Sequence, residues 1–215
     1  MRKLLILFLA AALAAAPVSH KSGLDPERLA RIPVRMKALV DKGDIPGTVT
    51  LLARHGQIVH LEATGWQDLE GRKPMRSDSI FQIMSMTKPF TGVGIMMLME
   101  EGKLSINDPV EKYIPAFKGQ QVGEKPTDGS RNLRNPARLV TIRDLMTHTS
   151  GMSGPHGEMA SLYQKMDRTL TDAVNAFAKE PLEYEPGTKW LYSNTGIATL
   201  GRIIEVVSDQ SYENF

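Results

Sequence analysis

The chain has 215 residues, 41% of them hydrophobic and 23% charged, the balance of an ordinary globular protein long enough to bury a core. Its 26 basic side chains nearly match its 24 acidic ones, so there is no strong field to collect a nucleic acid or another polyanion. Cysteine is absent, which excludes disulfides, thiol nucleophiles and thiolate metal sites, and His20, His55, His60, His148 and His156 show no HExxH or other close metal-ligand spacing. No metal or other cofactor is expected.

The first sixteen residues, MRKLLILFLAAALAAA, join a basic start at Arg2 and Lys3 to an apolar run and then to small residues of the kind a leader peptidase cuts. The run is shorter than the ~20 residues of a spanning helix. Residues 1–16 therefore read as a signal peptide and 17–215 as the exported part, periplasmic or secreted, which meets a membrane only through the export signal. Pro17 leaves the cleavage point open. Removing the leader takes away two cations and no acids, leaving 24 basic against 24 acidic residues.

In chain order, Asp25 reads as an N-cap, Pro26 as the first helical residue and Gly43 as the stop of a helix that Pro33 should kink or split. GTVTLLAR and QIVHLEATGW flank His55-Gly56 and predict a hairpin, which needs further partners to be stable. From Met86 to Glu101 the sequence is apolar nearly all round, which predicts a buried central helix ended by Gly102. Residues 118–138 are polar and aperiodic, so a long surface loop is expected there. TIRDLMTHTSG predicts a short helix capped by Thr141 and stopped near Gly151. A helix over 171–178 capped by Thr171 follows, and another opens just after Ser193-Asn194. Two strands and about five helices are an unclosed set, and the chain reads as truncated.

Ser85 and Lys88 lie one helical turn apart, which puts the ammonium within reach of the hydroxyl, as a base-activated serine requires. A serine in a helix's first turn also sits at the positive end of the dipole, where an oxyanion is stabilised. With 13 serines and 13 lysines, however, Ser-x-x-Lys is expected by chance about 0.8 times. On spacing alone, Ser85 as a plain cap and Lys88 as a solvated helix end remain open. Tyr192 and Asn194 flank Ser193 in a turn before a helix, whereas the second Tyr-x-Asn, Tyr212 and Asn214, reads as helical packing or surface.

Taken with IFQIMSMTKPFTGVGIMMLMEEGKLSINDPVEKYIP, VTIRDLMTHTSGM and EPGTKWLYSNTGIATLGRIIEVVS, these motifs resemble the serine β-lactamase and penicillin-binding superfamily over about Leu29 to Phe215, in particular class C β-lactamases and related esterases and peptidases. The resemblance implies an α+β, β-lactamase-like fold, a helical domain against an antiparallel sheet whose C-terminal strands are missing here. It implies that Ser85 forms an acyl-enzyme, Lys88 helps take its proton, Tyr192 acts as base and then acid, and Asn194 anchors Lys88 and the substrate. A tyrosine base near pH 7 needs ~3–4 kcal/mol of stabilisation of its anion, for which Lys88 is the evident source. The substrate would be a small ester, a β-lactam or a peptidoglycan-like peptide. The alternatives are a penicillin-recognising sensor that acylates without turnover and an inactive scaffold. The family's third motif, a Lys-Thr-Gly-like strand, would lie beyond Phe215.

His148 has no Gly-x-Ser-x-Gly elbow to serve and reads as a satisfied hydrogen-bonding residue. Ser150 and Ser153 read as turn residues, and the methionines at 84, 86, 96, 97 and 99 as core. Trp66 and Trp190 are read as cleft-lining or packing residues.

Overall fold

The computed structural model describes residues 23–124, 132–152, 154 and 168–215, in two compact units, 1–82 and 83–215. The expected signal peptide and Ser153 lie outside the described residues.

In the first unit, α1 (Pro26–Leu29) is capped by the Asp25 carboxylate, which accepts from the Glu27 and Arg28 N–H groups. The break expected at Pro33 falls ahead of it, at Ala30, and α2 (Arg31–Lys42) starts anew. The proline ring would clash with the carbonyl four residues back, so the chain turns there and Pro33 occupies a first-turn position where no N–H is missed. Gly43 closes α2 in a left-handed conformation, φ 81°. β1 (Gly47–Arg54) and β2 (Gln57–Asp68) form the expected antiparallel hairpin, and His55 and Gly56 both take positive φ, which matches a tight turn to the strands' twist. A two-residue β3 (Lys73–Pro74) pairs with the far end of β2. Trp66 lines an open cleft of about 740 Å³ in this unit, beside Met75, Arg76 and Phe81.

In the second unit, a 3₁₀ turn, Met84–Thr87, runs into α3 (Lys88–Glu100). Thr91, Gly94, Ile95 and Leu98 are buried, but Phe90 and Val93 are 68% and 57% exposed and Met97 is also open. The expectation of an all-buried helix is thus corrected: only one face of α3 finds neighbours within its unit. The supposed loop 118–138 also contains structure, for β4 (Val122–Glu124) pairs antiparallel with β5 (Asn132–Arg134) and Val122 is buried. Three-residue strands carry too little alternation to be read from sequence.

α4 (Ile142–Met146) has the Thr141–Asp144 capping box. α5 (Leu170–Phe177) is capped by Thr169, not Thr171, because Thr169 Oγ1 is the acceptor that reaches the Asp172 N–H. α6 (Asn194–Ser208) includes Asn194 as its first residue, with Ser193 as cap. Tyr212 lies in a turn and not on a helix, and its hydroxyl meets buried Thr91 Oγ1 at 2.5 Å. Ile95, Leu98, Ile142, Leu145, Val174, Leu200, Ile203 and Ile204 form the core on which α3, α4, α5 and α6 converge.

Candidate active site

Ser85 is the second residue of the 3₁₀ turn, so its N–H has no intrahelical acceptor and points with the helix's positive end. Met84, immediately before it, holds φ 50°, a conformation that costs a non-glycine residue about 1–3 kcal/mol and that no feature of the sequence announces. From the start of α3, the Lys88 ammonium donates to Ser85 Oγ at 3.0 Å. The i, i+3 spacing alone accounts for that contact.

Tyr192 arrives from 107 positions away and donates from its hydroxyl to Ser85 Oγ at 2.7 Å. Its loop is tied down on both sides. The Glu183, Gly187 and Leu191 N–H groups donate to the carbonyls of Gly151, Thr149 and His148 at 2.8, 2.8 and 2.9 Å. On the far side, Ser193 Oγ accepts from the Gly196 N–H and starts α6. Lys88 Nζ stands 4.7 Å from the Tyr192 ring centroid. The Lys88 ammonium, assisted by the Ser85 hydrogen bond, holds the Tyr192 phenol below its ordinary pKa against a small opposing effect of burial. When the phenol is ionised, the same 2.7 Å contact runs in reverse, with Ser85 as donor.

Asn194 does not complete the expected quartet. Among the described residues no hydrogen bond joins its half-buried side chain to Lys88, whose ammonium donates to Ser85 Oγ. Beyond the hydrogen-bonding role expected of it, His148 packs against Tyr192 with ring centroids 4.8 Å apart and a 34° tilt, and meets Trp190 edge-on at 6.0 Å. Its Nδ1 accepts from the Ser193 N–H at 3.2 Å. Burial, and then the Lys88 charge, lowers its pKa. Ser150 is buried and its Oγ accepts from the Met152 N–H, a turn role. A largely apolar cavity of about 270 Å³ opens between Lys88, Gly92, Met146, His148, Ile197 and Leu200.

The fold is β-lactamase-like, and the chain belongs to the Beta-lactamase family, whose model matches residues 35–215. It is 32% identical over 176 residues to Protein flp of Staphylococcus aureus, covering 82% of this chain and 33% of that one. It is 31% identical over 207 residues to Esterase EstB of Burkholderia gladioli, covering 88% and 50% respectively. Among solved structures it resembles EstCE1, described as a hydrolase with promiscuous acyltransferase activity, at a TM-score of 0.71 and 27% identity, covering 87% of this chain and 49% of that one. The chain thus spans between a third and a half of the curated relatives it matches.

Proposed function

We propose that the chain carries the acylating centre of a serine hydrolase and that Ser85 is its nucleophile. The observation that supports this is the convergence of the Tyr192 hydroxyl and the Lys88 ammonium on one oxygen, at 2.7 and 3.0 Å. In the reactive form Tyr192 is the phenolate. Ser85 Oγ attacks the acyl carbonyl as its proton passes to Tyr192, and the tetrahedral intermediate collapses with Tyr192 returning that proton to the leaving group. Tyr192 then takes a proton from the water that attacks the ester and returns it to Ser85 Oγ as that oxygen leaves, which regenerates the serine hydroxyl and the phenolate. Lys88 keeps its charge throughout and stabilises the phenolate. Asn194, whose amide is not engaged by Lys88, is assigned to the substrate's amide or ester oxygen.

A small ester is the substrate class favoured, because two similar proteins are named as an esterase and a hydrolase. A β-lactam and a peptidoglycan-like peptide are the competing acyl donors. The basic, apolar and small-residue order of residues 1–16 supports export to the periplasm or the medium. A cell-associated product with an intact Met1 would refute that assignment.

Intact-protein mass spectrometry tests the nucleophile. The chain and its Ser85→Ala variant are incubated with a fluorophosphonate, and separately with a penicillin. A single adduct lost in S85A supports the proposal, and its release with time on an ester distinguishes turnover from a penicillin sensor. No adduct on a folded chain refutes it.

A further inference from the structure

We propose that His148 is the positioning residue for Tyr192. The inference rests on the preceding assignment of Tyr192 as the base. His148 grips the chain on both sides of that tyrosine: its main-chain carbonyl accepts the Leu191 N–H at 2.9 Å, and its ring Nδ1 accepts the Ser193 N–H at 3.2 Å. Between these two anchors the imidazole lies against the Tyr192 ring, 4.8 Å between centroids. A single residue therefore holds the residue before through its main chain, and the residue after and the plane of the phenol through its side chain.

Three features make this arrangement specific to a neutral histidine in this conformation. An N–H donor aimed at Nδ1 requires a lone pair there, so the ring proton resides on Nε2. Burial and the Lys88 charge both act against the imidazolium, which would lose that acceptor. The residue holds φ 59°, in the left-handed region. Because Nδ1 is occupied by the backbone, that nitrogen is not available as a base for Ser85, and the role is one of alignment. General-base transfer depends steeply on the donor–acceptor geometry that this alignment fixes.

Asparagine and glycine at this position separate the roles. His148→Asn places an amide oxygen close to where Nδ1 lies and tolerates positive φ, and His148→Gly removes ring and acceptor while leaving the backbone relaxed. Saturation kinetics of fluorophosphonate labelling yield the maximal inactivation rate and the half-saturating concentration for each chain. The expected result for H148G is a maximal rate lower by about 10- to 100-fold, with half-saturation moved less than about threefold. H148N should retain the rate within about fivefold. A histidine that only fills space would not be rescued by asparagine. The inference is overturned if H148N falls as far as H148G, if H148G labels at the wild-type rate, or if the loss lies in half-saturation. Should H148G fail to fold, H148N decides alone by the same fivefold criterion. Equal labelling of wild type and H148G sinks this inference only, whereas no Ser85 adduct on the wild type sinks the functional proposal and this one with it.

Discussion

Replacing Asp144 by asparagine tests how the wall of the site is held. The Asp144 side chain is 5% exposed and accepts from Arg138 Nη1 and Nη2 at 2.6 and 2.8 Å and from the Thr141 N–H and Oγ1 at 2.9 and 2.7 Å. It also accepts from Thr149 Oγ1 at 3.3 Å, while its main-chain carbonyl takes the Thr149 N–H, so the stretch that carries His148 hangs from this residue. Burial raises the carboxyl's pKa, but the Arg138 and Thr141 hydrogen bonds outweigh it and leave the group below its ordinary value. An amide removes the charge and turns an NH₂ toward one set of these donors. Breaking a buried pair costs ~3–5 kcal/mol. Arg138 is 45% exposed and can return to water, which argues for the low end, about 3 kcal/mol. For a chain of this size that is a fall in Tm of about 6–12 °C, read by circular dichroism at pH 7. Because the folded pKa is depressed, the stabilisation exists above the ordinary carboxylate range and is lost as pH falls through the folded value, so the difference between wild type and variant should shrink in acid. A loss below about 1 kcal/mol, or one unchanged by pH, would refute this account.

Tyr192→Phe keeps the ring against His148 but removes the hydroxyl, and should slow Ser85 labelling by about 10²- to 10⁴-fold with no comparable change in Tm. In the wild type, the labelling rate should rise with pH and level off below the ~10 of an ordinary tyrosine, because the Lys88 ammonium and the Ser85 bond favour the phenolate. Asp108→Asn should cost about 1 kcal/mol after allowance for solvent screening, since Lys112, Tyr113 and the Ser105 N–H lower that carboxyl from 3.8 to about 2. That contribution is present above pH 3.8 and disappears as pH falls to about 2, a window that urea titrations at several pH values resolve. Gly151→Ala should destabilise by about 2 kcal/mol or more, measured in urea, because Gly151 holds φ 81° and an added Cβ would lie 2.4 Å from the Tyr184 carbonyl oxygen.

What was legible in the sequence is what short-range physics decides. Asp25, Thr141 with Asp144, and Ser193 satisfy orphan N–H groups within three residues of themselves, so their helix starts need no information from elsewhere. His55-Gly56 likewise closes its own hairpin, and the three-residue spacing of Ser85 and Lys88 brings ammonium to hydroxyl without outside help. Tertiary structure decided what depends on closing long loops. The meeting of Tyr192 with Ser85 spans 107 positions, and the grip of His148 on Leu191 and Ser193 joins segments more than forty residues apart. Neither leaves a periodicity, because a single contact fixes one residue and not a repeating face. The open face of Phe90 and Val93 makes the same point in reverse. Composition determines that a helix is apolar on every side, and only the arrangement of its neighbours determines which side is covered.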